Sequence, residues 1–238
     1  PVMTPRPANP PSGSQKVGVV VQMRLDSSRL PRKALLPLGD TSLAGAVLRR
    51  LRGVRADVRV LATDDAGAEA LAPVAQENGF SVFAGPKEDV LGRYAMVVRA
   101  YGLGRVVRAT GDNPFVSAML ADVAQDAASA YGADYVGLVG MPTGMGVEVV
   151  DACALLEAAA EADSAYDREH VCPFLYCRPE RFKSIRPECP PSYRLPEARV
   201  TVDTAEDYER AVAIVRELGN EPSDEAVIAW LLSRREGR

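Results

Sequence analysis

The stretch "VVVQMRLDSSRLPRKALLPLGD", residues 19–40, opens as an apolar run and passes into a loop carrying four cations, Arg24, Arg29, Arg32 and Lys33. Ser27 and Ser28 lie between them, and Pro31 stiffens the bend. The short β-branched run "KVGVVVQM" reads as a buried strand. The loop that follows is out of keeping with the rest of the chain, which has 28 Lys and Arg against 32 Asp and Glu in 238 residues, a net charge of −4. General affinity for nucleic acid needs a broad basic face, and this balance argues against one. A local positive loop suits a small polyanion.

A hydrophobic content of 47% supports a buried core, and no apolar run reaches membrane-spanning length. The four cysteines, Cys153, Cys172, Cys177 and Cys189, form no CxxC pair, and one histidine accompanies them. That composition argues against a zinc site. With no charged-then-apolar signal segment at the start, the expected compartment is a reducing cytoplasm with free thiols. Residues 1–15, rich in Pro and Ser and without periodicity, read as a disordered leader.

Beyond the leader, apolar strands alternate with amphipathic helices. After the first strand come a helix over "TSLAGAVLRRLRG" with Thr41 or Ser42 as its N-cap, the strand "DVRVLAT", a helix ending at Gly79 and the strand "FSVFAG". A helix closed by Gly102, the strand "RVVRAT", the loop "GDNPF", the helix "SAMLADVAQDAASAYG" and the strand "ADYVGL" follow. The second half reads as the strand "VEVVD", the helix "ACALLEAAAEA", a helix over "DREHVCPFLYCRPE", the strand "ARVTVD" and two helices capped by Thr204 and Ser223. The rhythm predicts an α/β fold with a mixed, mainly parallel sheet flanked by helices. It also predicts one domain over 16–238, with an insertion near 138–195 that covers the site. Ligands of such sheets sit beyond the carboxyl ends of the strands, so "RLDSSRLPRK", "TDD", "GPKED" and "TGDNP" are the candidate loops.

Neither GxxxxGK[ST] nor GxGxxG follows the first strand. Arg24, Arg29 and Lys33 could instead converge on one centre from a curled loop, with Ser27 and Ser28 adding donors, as binding a polyphosphate requires.

"VVVQMRLDSSRLPRKAL" resembles the signature loop of the cytidylyltransferases that make CMP-activated acidic sugars, closest to the spore-coat-polysaccharide-type branch. Further matches follow in order: "ATDD" at 62–65, "EDVLGRY" at 88–94, "RATGDNP" at 108–114, "GVEVV" at 146–150, "YDREHV" at 166–171 and "TVDTAEDYERA" at 201–211. The resemblance spans roughly residues 16 to 218 and implies a Rossmann-like nucleotide-diphospho-sugar transferase (GT-A-like) fold. It implies Mg²⁺-dependent transfer of CMP from CTP to an acidic acceptor, with release of pyrophosphate. Related enzymes are often dimers, so a homodimer is expected.

Carried over residue by residue, the resemblance puts Arg24 and Lys33 on the triphosphate, and Ser27, Ser28 and Arg29 on its β- and γ-phosphates. It puts the magnesium aspartates at Asp112 and Asp203. Each ends an apolar stretch, and hard Mg²⁺ favours one or two carboxylates plus phosphate oxygens and water. Thr63, Asp64, Asp89, Arg93 and Arg108 fall near the cytidine. Glu148, Arg168, Glu169 and His170 fall at the acceptor pocket, with Arg168 gripping the acceptor's acidic group. One departure stands out. The family's "PDGLDVEV" pattern reads "PTGMGVEV" here, with Thr143 and Gly146 in place of two aspartates. That leaves room for a smaller or more anionic acceptor, such as a phosphonate or phosphorylated acid. A glycosyltransferase of similar fold is a rival reading, but such enzymes usually need a DxD motif and "TDD" is a poor substitute. A nucleotide-binding regulator without turnover is a second rival, disfavoured by the presence of Lys33 and both aspartates.

Overall fold

A computed structural model describes residues 15–234 of the chain; of the leader expected over 1–15, all but Gln15 lies outside the described residues. The apolar run forms strand β1 (Val17–Gln22), in which Val19, Val20 and Val21 have no solvent exposure. A strand buried on both faces belongs at the centre of a sheet. A small hairpin follows, β2 (Pro37–Leu38) and β3 (Thr41–Ser42), then α1 (Leu43–Leu51). The βα rhythm continues with β4 (Val58–Thr63), α2 (Asp65–Glu77), β5 (Ser81–Ala84), α3 (Val90–Tyr101), β6 (Arg105–Thr110), α4 (Ala118–Tyr131) and β7 (Tyr135–Gly137). Next come β8 (Glu148–Asp151), α5 (Ala152–Glu161), α6 (Ala165–His170), α7 (Pro173–Tyr176), β9 (Ser184–Ile185), α8 (Ala205–Leu218) and α9 (Asp224–Ser233).

The main sheet has the order β5-β4-β1-β6-β8-β7-β9. β1 pairs parallel with β4 and β6, and β4 with β5, so their carboxyl ends share one edge. β8 runs antiparallel to β6 and β7. That reversal brings its first residue, Glu148, to the same edge, directly opposite Arg108. One sheet face is covered by a core that includes Leu43, Leu48, Leu71, Leu120, Ile214 and Val227; the other is covered by one that includes Leu91, Tyr94, Leu155, Phe174 and Phe182. Tyr94, fully buried, donates to the Val20 carbonyl at 3.1 Å and so ties α3 to β1.

Two expected elements differ. The helix expected over 167–180 is broken into α6 and α7. A continuous helix would drive the Pro173 ring into the carbonyl four residues back, that of Glu169. The chain instead turns at Val171 (φ +72°, ψ −57°), with the Cys172 N–H donating to the His170 carbonyl at 2.9 Å. This is a classic γ-turn, a strained form for a β-branched residue. The strand expected over 198–203 is extended but joins the structure as a strap, with one bridge between Arg199 and Thr143. Its Val200 N–H donates to the Thr143 carbonyl and its Val202 N–H to the Asp112 carbonyl, each at 2.8 Å. Alternating polar and β-branched residues give it strand periodicity, but its donors are used on two loops. The strap lies close on Gly144 (φ +101°), where a Cβ would come within 2.9 Å of the Thr201 backbone nitrogen.

The C-terminal helix is anchored by a polar cluster. Asp224 at the start of α9 pairs with Arg50 and accepts from Ser117 and from the Tyr193 hydroxyl, the latter at 2.9 Å. Arg50 also donates to the Val116 and Pro222 carbonyls at 2.7 and 2.8 Å. Breaking a largely buried ion pair leaves the other charge uncompensated. Asp224→Ala is therefore expected to lower the unfolding free energy by about 3 kcal/mol, read from the urea midpoint. An unchanged midpoint would show that α9 is held by its apolar contacts alone.

Candidate active site

The carboxyl edge of the sheet carries a cleft of about 400 Å³. Its floor is made by the last residues of the central strands, Gln22 of β1 and Arg108 and Thr110 of β6. The cationic loop forms one wall and supplies Arg24, Ser27, Ser28, Arg29 and Lys33. The loop is curled by its own backbone, with the Arg32 N–H donating to the Leu25 carbonyl at 2.9 Å and the Lys33 N–H to the Leu30 carbonyl at 3.2 Å. Arg32 takes a left-handed conformation (φ +55°) at this bend, and its side chain is exposed. A short 3₁₀ helix, Lys33–Leu35, then carries Lys33 back over the sheet edge.

Lys33 meets the two aspartates there. Its ammonium donates to the Val202 carbonyl at 2.7 Å and to Asp203 Oδ1 at 3.0 Å, and lies 3.8 Å from Asp112 Oδ2. Arg29 approaches Asp203 Oδ1 at 3.2 Å, and Arg199 pairs with Asp203 Oδ2. Burial works to raise the Asp203 pKa, but hydrogen bonding from Lys33 and the surrounding cations outweigh it and hold the carboxyl below its usual range. Asp112 is oriented by the Thr110 hydroxyl, to which Asn113 also donates at 2.9 Å. Two carboxylates thus converge on one ammonium, a cradle that also suits a hard divalent ion. Among the described residues, no group of three or more histidine, cysteine or acidic side chains is arranged to hold a metal. An ion at Asp112 and Asp203 would therefore need other oxygen donors.

Arg93, Glu169 and His170 complete the lining. Arg93 is 97% buried by accessible area, since only 3% of it is exposed; it donates to the Pro86 carbonyl at 2.8 Å, and burial lowers its pKa. Its Nε, like that of Arg108, has no hydrogen-bond partner among the described residues. His170 stacks against Tyr166, ring centroids 4.4 Å apart.

Other sequence-predicted residues lie elsewhere. Thr63 is fully buried at the end of β4, and its carbonyl accepts from Gly85 at 2.9 Å. Asp64 caps α2, accepting from the Gly67 N–H at 2.7 Å, and Asp89 caps α3, accepting from the Gly92 N–H at 2.8 Å. Arg168 is engaged away from the cleft lining. It donates to the Ala162 carbonyl at 2.8 Å and pairs with Asp89 at 3.1 Å, tying α6 to the start of α3.

Glu148 lines a second cavity, of about 460 Å³, which shares Arg108 and Thr110 with the first. Its carboxylate is occupied: Arg108 pairs with Oε2, and the Tyr135 hydroxyl donates to Oε1 at 2.7 Å. Arg108 also donates to Gln22 at 2.9 Å. Burial and the Glu148 charge push the Tyr135 hydroxyl pKa up, and burial does the same to the nearby Cys172 thiol. On the far side Arg186 stands over the Tyr176 ring at 4.4 Å, and burial helps push the Tyr176 hydroxyl up to about 12. The altered "PTGMGVEV" loop lines this cavity, and a Cβ at Gly146 would meet Met141 Cε at 2.3 Å. Methionine thus occupies the space into which an aspartate there would begin to extend. Sequence reasoning missed Gln22, Thr110, Tyr135, Tyr176 and Arg186. The first two are terminal residues of strands that it did identify, a usable signal. Arg186 lies in no motif.

Residues 18–227 match the cytidylyltransferase family. The chain belongs to that family. It is similar to the spore coat polysaccharide biosynthesis protein SpsF of Bacillus subtilis, 34% identical over 210 residues that cover 85% of this chain and 88% of that one. A solved cytidylyltransferase from Leptospira borgpetersenii superposes with a TM-score of 0.84 at 29% identity, over 94% of this chain and 96% of that one. A CMP:2-keto-3-deoxy-manno-octonic acid synthetase, solved with CTP, shares the fold at a TM-score of 0.66 and 16% identity, over 85% and 99% of the two chains. The cytidylyltransferase is a CTP-dependent nucleotidyltransferase of Rossmann-like fold. Among its described residues, no helix is long and apolar enough to cross a membrane.

Glu148→Gln keeps an acceptor for Tyr135 but leaves the Arg108 charge uncompensated where it is largely buried. It is expected to lower the unfolding free energy by about 3 kcal/mol, measured by urea denaturation. No loss would mean that Arg108 is satisfied by Gln22 alone.

Proposed function

We propose that this cytidylyltransferase transfers CMP from CTP to a small acidic acceptor with the help of Mg²⁺, releasing pyrophosphate. The observation that carries this reading is the meeting of Lys33 with Asp112 and Asp203 directly below the cationic loop. The triphosphate lies against Arg24, Arg29 and Lys33, with Ser27 and Ser28 as further donors. Arg93 and Arg108, each with an Nε that has no hydrogen-bond partner among the described residues, face the nucleotide. Asp112 and Asp203 would hold a divalent ion, which would supply neutralising charge to the phosphates.

The acceptor occupies the second cavity, so that its oxygen reaches the α-phosphorus at the Arg108–Thr110 junction of the two cavities. Attack is in line: the acceptor oxygen bonds to the α-phosphorus as the bond to the β-phosphate oxygen breaks, the electron pair leaves with pyrophosphate, and a hydroxyl acceptor gives up its proton to solvent, whereas an ionised phosphate or phosphonate oxygen has none to lose. The protein acts through position and charge. Lys33 and Arg24 stabilise the leaving pyrophosphate. Segment 138–195 supplies much of the acceptor wall. Glu148 shapes that cavity by fixing Arg108 and Tyr135, whereas Glu169 and His170 line the nucleotide cleft. Arg168 acts as a strut. The charged residues lining the cavity are Arg108, Glu148 and Arg186, and since the first two neutralise each other, Arg186 takes the acceptor's acid group.

The likeness to a protein of polysaccharide biosynthesis makes sugar acids the first acceptor class to test. The missing acidic pair at Thr143 and Gly146 keeps phosphonates and phosphorylated acids in the set. A pyrophosphate-release screen over the four nucleoside triphosphates and these acceptors tests the reading. CTP with an acidic acceptor is expected to give turnover, and turnover with another triphosphate alone would contradict it. Asp112→Asn is expected to lose at least about a hundredfold in kcat with an unchanged circular dichroism spectrum. Near-normal turnover would remove Asp112 from the metal site.

A further inference from the structure

We propose that the Lys33 ammonium is the exchangeable counter-ion of the two carboxylates, so that this enzyme binds a divalent ion firmly only together with its nucleotide. The inference rests on reading Asp112 and Asp203 as the metal residues. It goes further by making metal binding conditional.

Lys33 lies between the two carboxylates, 3.0 Å from one and 3.8 Å from the other, and is anchored by the Val202 carbonyl at 2.7 Å. The site is sheltered, with 16% of the Lys33 side chain and 14% of the Asp203 side chain exposed. Arg29 and Arg199 add two more cations on Asp203. Three cations therefore face two carboxylates. A divalent ion arriving alone meets a net positive site, and charge repulsion at such distances is strong where water is partly excluded. It would also find too few protein ligands, since Asp112 and Asp203 belong to no larger acidic cluster among the described residues.

A triphosphate changes both conditions. It reverses the local charge and brings oxygen ligands of its own. Lys33 sits on a flexible four-carbon stem and can transfer its hydrogen bonds from the carboxylates to phosphate oxygens. By linkage, the factor by which nucleotide tightens the metal is the factor by which metal tightens the nucleotide.

The test uses Mn²⁺ as the probe and the water-proton relaxation rate as the readout, because that rate rises when Mn²⁺ joins a slowly tumbling protein. Without nucleotide, Lys33→Met is expected to bind Mn²⁺ at least about tenfold more tightly than the wild-type chain. Lys33→Arg, which keeps the charge, is expected to stay as weak as wild type. Adding CTP to the wild type is expected to produce protein-bound Mn²⁺. Lys33→Gln replaces the methionine variant if melting shows that variant to be unfolded. Equal Mn²⁺ affinity in wild type and the neutral variants without nucleotide would overturn the inference. If that affinity is lost in Asp112→Asn, the metal assignment itself stands. Failure of every form to bind Mn²⁺, even with CTP, would overturn the inference and the metal assignment together.

Discussion

One long-range contact organises the molecule. Lys33, in the loop after the first strand, donates to a carbonyl and a carboxylate 169 and 170 residues further along the chain. The strap over 198–203 that presents those acceptors is itself held by the Asp112 and Thr143 carbonyls. Three loops at the carboxyl edge are thereby fixed relative to one another: the cationic loop, the "TGDNP" loop and the "PTGMGVEV" loop. The sheet beneath sets their spacing, because β1 and β6 are adjacent and parallel. A cleft and a neighbouring cavity follow from that arrangement.

Electrostatics divide the edge into two regions. In the cleft below the loop, Arg24, Arg29 and Lys33 outnumber Asp112 and Asp203, which suits a polyanion and a metal. In the second cavity, Glu148 is consumed by Arg108 and Tyr135. A buried carboxylate engaged in this way contributes rigidity more than ligand contact. Arg186 and the aromatic pair Tyr135 and Tyr176, ring centroids 5.4 Å apart, form the proposed recognition surface. Met141 at Gly146 makes the wall less polar than an aspartate would.

Much of this was legible in the sequence because its signals are local. The buried run of β1, the caps at Ser42, Thr204 and Ser223, and the stop at Gly102 all act within one turn of chain. That the cationic loop and Asp112 share the carboxyl edge of the sheet was legible because each follows one of its parallel strands. What was not legible depends on partners far away in the chain. "ARVTVD" has strand periodicity, yet its partners are two loops and it becomes a strap. Arg168 lies in a recognisable motif, but only the fold shows its guanidinium bound to Asp89. Arg186 enters the cavity through the pairing of β9 with β7, which no nearby residue announces.

The central claim is that the positive loop after β1 binds the triphosphate rather than the nucleoside. Titration calorimetry of CTP and CMP, at one Mg²⁺ concentration and one ionic strength, tests it most directly. The account predicts that CTP binds at least about a hundredfold more tightly, and that the difference shrinks as salt is raised and exposed charges are screened. Equal affinities for CTP and CMP would contradict it.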